Sequence, residues 1–192
     1  MIVSVIILNL PVDRQFCDLF PKLVAGTNNT QAKRISVAKS CPITQSRIET
    51  LMIRKHKKQD LEQIISVWYQ SSTLAHPFLS DSFVEKVKLD MTNIYVPNSE
   101  TWVYEVDNLI VGFISMLDNE IGGLFVLPNN HSKGIGTELV NFIKKEHSEL
   151  EVEVFEKNSI GRAFYNKYGF ESINKFNHQD SGHVVLRLKL KC

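Results

Sequence analysis

The sequence predicts a mixed α/β (α+β) fold around one central sheet, and three observations support this prediction. An apolar run at residues 124–126 lies between a glycine pair and a proline, which is typical of a buried strand that ends in a turn. Apolar residues then recur at helical spacing over residues 135–143, so a helix of about three turns follows. Residues 101–117 alternate in the manner of two strands around Asp107 and Asn108, which predicts a β-hairpin.

The remaining elements follow from the same periodicities. Acidic and apolar side chains alternate over residues 150–155. This pattern predicts a strand that lies parallel to the central one if the helix between them is a right-handed crossover. Further strands are expected from Met52 and over residues 169–176 and 183–190, and further helices after a capping Asp60 and from Ser80 or Asp81.

Residues 1–51 differ from the rest of the chain. They carry six Lys or Arg against three acids, a net charge of +3, whereas the other 141 residues hold 16 against 18, a net charge of −2. A short strand is expected over residues 3–8, but residues 28–45 show no sustained periodicity and predict loop or disorder. We interpret residues 1–51 as a poorly ordered N-terminal extension of a domain that spans residues 52–192. The alternative is an extra strand or helix packed on that domain.

The composition describes an ordinary globular protein. Of 192 residues, 43% are hydrophobic and 22% charged, and the formal net charge of +1 leaves no basic excess that would indicate nucleic-acid binding. Cys17, Cys41 and Cys192 show neither a disulfide framework nor zinc-ligand spacing, so we expect no metal site and a reducing, cytoplasmic environment. The apolar residues 1–10 are too short to cross a bilayer and lack the basic start of a signal peptide.

The segment around Gly134 and Gly136 has the features of a phosphate site. A helix N-terminus exposes unpaired N–H groups and the positive end of the helix dipole, and glycines let the backbone approach phosphate oxygens closely. Lys133 adds a cation and Thr137 a hydroxyl, so the sequence predicts a pyrophosphate site. A Walker A loop is excluded because its GK(S/T) ending is missing. The dinucleotide fingerprint is excluded because Leu139 stands where its third glycine is required.

This segment resembles the acetyl-CoA loop of the GNAT superfamily of N-acetyltransferases, Q/R-x-x-G-x-G/A after a strand of the type L-F-V-x-P. Here the sequence is H-S-K-G-I-G after L-F-V-L-P. His131 occupies the position where the family usually has Gln or Arg. Because a neutral imidazole offers less charge to a phosphate, Lys133 is expected to carry more of that role.

A second segment, residues 158–170, is similar to the family's other motif, N-x-x-A-x-x-F-Y-x-K-x-G-F. Gly161 stands where the family usually has Ala, and Ala163 follows two residues later. The segment is also a plausible helix on physical grounds, since Asn158 can cap its start and Gly169 can end it.

The resemblance covers about residues 52–191 and implies the GNAT fold of small single-domain bacterial members. This is a central, mixed, mostly antiparallel sheet of about six to seven strands, splayed between strands 4 and 5 and flanked by about four helices. It also implies acetyl-CoA as the acetyl donor, with the pantetheine arm paired to the exposed strand and the diphosphate on the helix N–H groups. The implied cofactor-binding residues are Leu124, Phe125, Val126, His131, Lys133, Gly134, Ile135, Gly136, Thr137 and Asn158.

The resemblance further implies catalytic and acceptor residues. Tyr165 is the expected proton donor to the leaving thiolate, and a backbone N–H near Phe125 is the expected donor to the developing oxyanion. For the base that deprotonates the amine, the candidates are Glu120, Glu153 or a bound water. The stretch A-H-P-F-L-S resembles A-H-x-F-L-S of small bacterial members, which implies that His76 and Phe78 contact the acceptor.

These features predict an N-acetyltransferase that moves the acetyl group of acetyl-CoA to a primary amine of a small molecule or peptide in a ternary complex. One alternative is a non-catalytic acetyl-CoA-binding regulatory module, against which Tyr165 argues. Another is a toxin that acetylates charged tRNA, against which the slightly acidic residues 52–192 argue. The acceptor itself depends on loops that the sequence leaves open, and a homodimer is compatible with it.

Overall fold

The structure of the protein, a computed structural model, describes residues 51–192 and, ahead of them, the strand Lys33–Ile35. The strand expected over residues 3–8 lies outside the described residues, as do Cys17 and Cys41. The strands are β1 (Lys33–Ile35), β2 (Leu51–Lys55), β3 (Glu100–Val106), β4 (Leu109–Leu117), β5 (Glu120–Val126), β6 (Glu149–Phe155), β7 (Glu171–Asn177) and β8 (Val184–Lys191); the helices are α1 (Leu61–Ala75), α2 (Asp81–Asp90), α3 (Ile135–Ile143) and α4 (Ser159–Tyr168).

The strands form one sheet in the order β1-β2-β3-β4-β5-β6-β8-β7. Neighbours are antiparallel except β5 and β6, which are parallel and joined through α3. The prediction of a mixed, mostly antiparallel sheet with about four helices is therefore confirmed. Seven strands lie within residues 51–192, and β1 adds an eighth at the edge beside β2. Because β1 falls within residues 28–45, the prediction of loop or disorder is wrong for Lys33–Ile35.

The sheet splits between β5 and β6. These strands pair only through Glu120 with Glu151 and Ile121 with Val152, although β5 continues to Val126 and β6 to Phe155. Since the pairing stops there, the two strands diverge toward their C-terminal ends. They are the fourth and fifth strands of residues 51–192, so the predicted splay is confirmed.

Each face of the sheet carries its own hydrophobic core. On one face, α3 and α4 pack on the inner strands through a cluster that includes Leu124, Leu139 and Phe164. On the other face, α1 and the segment after α2 pack on Phe113 and Phe125, whose rings stack 5.2 Å apart. Burial of each such ring contributes roughly 1.5–3 kcal/mol.

The start of α1 and the end of α2 depart from regular α-helical geometry and capping. Asp60 does not cap α1 through its side chain; its carboxylate instead accepts the Lys57 N–H at 2.7 Å and pairs with Arg54 at 2.6 Å. Helix α2, capped by Ser80, continues into a π-helical turn, Met91–Tyr95, and a last helical turn, Val96–Asn98. Short 3₁₀ turns cover Lys58–Asp60, Pro128–Asn130 and Lys144–Glu146.

Among the described helices, none combines the length and the apolar character needed to cross a bilayer.

We propose that residues 52–192 form an independently folding domain. Both main clusters of buried side chains lie between Ile53 and Leu190. Among the described residues, removal of residues 1–51 costs the edge pairing of β1 and the contact of Leu51, the first residue of β2, with the core. We therefore expect the Met52–Cys192 fragment to unfold in a single cooperative urea transition, measured by circular dichroism beside the full chain. A fragment without such a transition would contradict the domain boundary.

Candidate acetyl-transfer site

The loop before α3 leaves the start of that helix open to a ligand. Gly134 is the N-cap residue, with a φ of 86° that favours glycine, and no side chain within the described residues caps the helix. The first intrahelical bond runs from the Glu138 N–H to the Gly134 carbonyl, so the N–H groups of Ile135, Gly136 and Thr137 have no helical acceptor. These groups and the macrodipole make the predicted diphosphate position physically suitable for an anion.

The side chain of His131 is engaged with the protein rather than directed to a free site. Its Nε2 donates to the Val126 carbonyl at 2.8 Å, and the Ser71 hydroxyl donates to the same carbonyl at 2.9 Å. Burial lowers the pKa of His131, so its imidazole is held in the neutral form. A phosphate contact through Nε2, as the resemblance implies, would first have to break this hydrogen bond.

The backbone of β5 determines which groups face the split. The Leu127 N–H donates to the Val111 carbonyl of β4 at 2.8 Å, whereas the Val126 carbonyl is bonded away from β4. Because successive strand residues point their backbone groups to opposite sides, Leu124 and Val126 face the split and Phe125 faces β4. The oxyanion donor near Phe125 stays a prediction, and the N–H groups of its neighbours Leu124 and Val126 are the ones that face the split.

Tyr165 lies on α4, and its side chain, including the hydroxyl, is buried. Its side chain is 0% exposed, and its ring lies 5.3 Å from that of Phe164 and 5.0 Å from that of Phe170. The Oη atom has no hydrogen-bond partner among the described residues. Burial raises the pKa of Tyr165 well above its ordinary value, so the phenol keeps its proton. A buried hydroxyl without a partner is uncommon and is compatible with a ligand as its missing acceptor.

Asn158 connects the start of α4 to the end of α1. Its Oδ1 accepts the Gly161 N–H at 2.8 Å, which caps the helix as predicted. This orientation directs Nδ2 to Nε2 of His76 at 3.1 Å, so Nε2 must be the acceptor and the imidazole proton lies on Nδ1. Nδ1 then donates to the Ser72 hydroxyl at 3.1 Å.

His76 is therefore a buried link between helices and not a surface group. It is 4% exposed, and burial lowers its pKa to about 3, which keeps the ring neutral. Phe78 stands next to it, with its ring 5.5 Å from Phe155 and 4.9 Å from His183. Both ring nitrogens of His76 are occupied by protein groups, so its predicted contact with the acceptor stays a prediction that this geometry does not favour.

Three carboxylates converge on Arg187 at the closed end of the split. Its guanidinium bonds Glu151 at 2.8 Å, Glu120 at 3.1 Å and Glu153 at 3.3 Å. Glu153 is directly opposite Arg187 in the antiparallel pair of β6 and β8, and Glu120 is opposite Glu151 in the parallel pair. The two predicted base candidates are thus brought together around one cation.

The same cluster gives its carboxyl groups different proton affinities. Burial, reinforced by the charge of Glu120 and opposed by Arg187, raises the pKa of Glu153 to about 7. Burial also raises the pKa of Glu120, whose Oε1 is buried without a hydrogen bond among the described residues. Hydrogen bonding from Arg187 lowers the pKa of Glu151. Glu153 therefore titrates in the range in which a general base is most effective.

Arg187 was missed in the sequence, although a signal was present. Charged residues occur at every second position in E-L-E-V-E of β6 and in R-L-K-L-K of β8. Opposite charges with the same period of two favour pairing of these strands with their charged faces together. Ser71 carries no comparable signal, because its partner, the Val126 carbonyl, lies on the distant strand β5.

Within the described residues there is no group of His, Cys, Asp and Glu side chains arranged to hold a metal ion.

Comparisons with known proteins agree with this architecture. Residues 97–172 match the model of the acetyltransferase (GNAT) domain. The chain is 30% identical over 124 residues to the peptidyl-lysine N-acetyltransferase YiaC of Escherichia coli K12, covering 64% of this chain and 85% of that one. The solution structure of apo YjaB from Escherichia coli superposes with a TM-score of 0.67 at 25% identity, covering 72% of this chain and 96% of that one.

A further solved structure has the same fold. It is the PaiA N-acetyltransferase of Thermoplasma acidophilum in complex with coenzyme A, with a TM-score of 0.57 at 23% identity over 74% of this chain and 99% of that one. The fold and the sequence matches together define an acetyl-CoA-dependent acetyltransferase. The chain belongs to the GNAT acetyltransferase family.

The link between the helices can be tested with His76→Ala. This change removes the acceptor for Asn158 and opens a cavity beside Phe155, whose ring is 5.3 Å away. We expect the free energy of unfolding, measured with urea, to fall by about 1–3 kcal/mol. His147→Ala, at a partly exposed position after α3, is the control and should cost little.

The pH dependence of the same stability has a definite sign. The folded pKa of His76 is about 3 and its ordinary value is 6.5, so between these values the unfolded chain binds a proton that the folded chain does not. Its contribution to stability is present above pH 6.5 and is lost as the pH falls toward 3. Equal stability losses in wild type and His76→Ala across this window would contradict the neutral, buried assignment.

Proposed function

We propose that the protein transfers the acetyl group of acetyl-CoA directly to a primary amine of a peptide or small molecule in a ternary complex, foremost to the side-chain amine of a peptidyl lysine. The observation that carries this proposal is the Tyr165 hydroxyl, which is buried and has no hydrogen-bond partner among the described residues. It lies on α4, which packs on the split sheet, and strand β5 leads from the split to the N-terminus of α3, which no described side chain caps. The name of the relative YiaC, a peptidyl-lysine N-acetyltransferase, supports the choice of acceptor.

The residues present fit acetyl-CoA along this path. The N–H groups that begin α3 would hold the diphosphate, with Lys133 as a nearby cation. The backbone of Leu124 and Val126 would pair with the pantetheine amides much as an added strand would. Because the Val126 carbonyl already accepts two protein hydrogen bonds, pairing would use mainly its N–H and the backbone groups of Leu124. When bound, acetyl-CoA supplies an activated thioester carbonyl.

The chemistry needs two proton transfers, and the chain has a group for each. The amine must lose a proton to attack the carbonyl carbon, and the Glu153 carboxylate is available to take it at neutral pH. The leaving sulfur must gain a proton or a hydrogen bond, and the Tyr165 phenol donates it. A backbone N–H of Leu124 or Val126 stabilises the negative charge that develops on the carbonyl oxygen.

Arg187 adjusts the base without taking part in proton transfer. Its positive charge partly offsets the effect of burial on the pKa of Glu153, and its ion pairs hold Glu120 and Glu151 close by. Three acidic side chains therefore lie together around one cation. Without this cation, the mutual repulsion of the carboxylates would raise their pKa values further and leave less of the basic form at neutral pH.

The base assignment predicts a specific pH profile. In wild type, kcat/KM should rise with pH through about 7 as Glu153 loses its proton. Glu153→Gln should lower kcat roughly 10²–10³-fold and remove this inflection. Glu151→Gln is the matched control on the same strand and should keep it, because the pKa of Glu151 is lowered. An inflection that survives in Glu153→Gln and vanishes in Glu120→Gln would assign the base to Glu120.

The acid assignment predicts that activity and stability separate in Tyr165→Phe. Activity is followed as release of the CoA thiol with a lysine-containing peptide, beside the same peptide with leucine in place of lysine. We expect kcat to fall roughly 10²–10³-fold, whereas stability should stay equal or rise by about 1 kcal/mol, because a buried hydroxyl without a partner is removed. Tyr168→Phe, whose hydroxyl bonds Asn141, is the control on the same helix and should retain kcat.

A wild-type protein that binds acetyl-CoA but releases no thiol with any amine would contradict the proposed function and favour a regulatory module. An unchanged kcat in Tyr165→Phe would contradict only the role of this tyrosine.

A further inference from the structure

The first turn of α3 rests on one row of residues that crosses β3, β4 and β5. In this row Gly112 of β4 is paired with Tyr104 of β3 on one side and with Val126 of β5 on the other. Ile135, the first residue of α3, packs directly over Gly112, because a Cβ atom at Gly112 would stand 3.3 Å from Cγ2 of Ile135. This row is where the start of α3 meets the strand that borders the split.

A side chain at Gly112 has no room in this arrangement. Its Cβ atom would also lie 3.0 Å from the Phe125 carbonyl oxygen and 3.2 Å from Cγ2 of Val126. Carbon atoms in ordinary contact are about 3.5–4.0 Å apart, so at least one neighbour would have to move. The required movement is a few tenths of an ångström. The absence of a side chain at Gly112 therefore permits the close approach of helix and sheet at this point.

Hydrogen bonds hold the strand side of this contact in place. The Val126 carbonyl accepts from the Ser71 hydroxyl at 2.9 Å and from His131 at 2.8 Å. The Leu127 N–H donates to β4 at 2.8 Å. The start of α3 follows a loop, by contrast, and no described side chain caps it. A methyl group at Gly112 would therefore displace mainly the first turn of α3.

Tyr104 ties the same turn to the sheet from the other end of the row. Its side chain is 3% exposed, and its hydroxyl donates to the carboxylate of Glu138 at 2.9 Å. Glu138 belongs to the first turn of α3. Hydrogen bonds to a charged acceptor are stronger than those between neutral groups, so this contact is well suited to hold the turn down.

We propose that Gly112 and Tyr104 are positioning residues for the acetyl donor. Together they set the height of the first turn of α3 above the sheet. This height determines the spacing between the N–H groups proposed to hold the diphosphate and the open edge of β5 proposed to hold the pantetheine arm. The inference rests on the proposed function, in which one acetyl-CoA molecule occupies both positions.

The spacing matters because one ligand bridges both positions. A ligand of this kind gains affinity from its second contact only where the distance between the two positions fits its length. Displacements of about 0.5 Å are enough to weaken a pre-organised site. The movement that a methyl group at Gly112 requires is close to this limit.

The test compares two acetyl donors with one lysine-containing peptide as the acceptor. They are acetyl-CoA and S-acetylpantetheine, which carries the same thioester arm without the diphosphate and the nucleoside. In Gly112→Ala, kcat/KM for acetyl-CoA should fall about tenfold, because a displaced helix start binds the diphosphate less well. The value for S-acetylpantetheine should change less than about twofold, since this donor does not bridge the two positions.

A second variant, Tyr104→Phe, removes one hydroxyl and adds no bulk. It should show the same pattern with a smaller loss for acetyl-CoA, about threefold. With saturating acetyl-CoA, kcat should stay within about twofold of wild type in both variants, because the groups that transfer protons are unchanged.

Gly122→Ala is the matched control, the same substitution on the neighbouring strand β5. The added Cβ atom would stand 3.6 Å from the Leu117 side chain and 3.7 Å from the Ser115 carbonyl, which are ordinary contacts. Calorimetry with acetyl-CoA should give the wild-type affinity in this variant and a weaker affinity in Gly112→Ala and Tyr104→Phe.

Urea unfolding of each variant separates donor positioning from loss of the fold. An equal loss for both donors, or an unchanged ratio of their kcat/KM values, would overturn the inference alone and leave these residues with a structural role. If Gly112→Ala does not fold, the same ratio in Tyr104→Phe decides. A wild-type protein that uses S-acetylpantetheine as well as acetyl-CoA would overturn the proposed diphosphate position and the inference with it.

Discussion

The separation of β5 from β6 is the constraint on which the remaining structure depends. Two residue pairs hold the strands together, and beyond them no strand of the described residues pairs with the side of Leu124 and Val126 that faces the split. Unpaired backbone groups inside a sheet are costly unless another partner satisfies them. The protein meets part of this requirement itself, since Ser71 and His131 both donate to the Val126 carbonyl. The remainder is available to a ligand that can act as a strand.

Burial also shifts the pKa values of three side chains in the site, and the consequence differs for each of them. It keeps His76 neutral, which lets one nitrogen of the ring accept from Asn158. It raises the pKa of Glu153 to about 7, which makes a carboxylate useful as a base at neutral pH. It keeps the proton on Tyr165. In each case the charged form is disfavoured by the loss of water, and the neighbours determine what the neutral form can do.

The two faces of the sheet divide the proposed work. On the face of α3 and α4, an uncapped helix N-terminus and a buried phenol are suited to the donor. On the face of α1 and α2, Glu120 and Glu153 lie around Arg187, and this side is suited to an amine acceptor. The split strands lie between these two sides, and acetyl transfer requires the two substrates to meet.

Much of the fold was determined by local sequence. Periodicity, glycines and caps predict the strand, loop and helix around Gly134 and the helix between Asn158 and Gly169, because these signals act over a few residues. The two motifs likewise lead to the family, the cofactor and Tyr165. The strand β1 was missed because three residues are too few for a periodic signal, and an edge strand depends on its neighbour.

The tertiary structure alone decided how these side chains are used. His76 and Asn158 meet across 82 residues of sequence, and this contact makes His76 a buried link between helices. Arg187 contacts three carboxylates because of the register of β8 against β6. This register depends on both strands and cannot be inferred from either one alone. The sequence by itself thus determined the elements and the candidate chemistry, whereas proton affinity, burial and orientation depend on distances between elements, and only folding sets those distances.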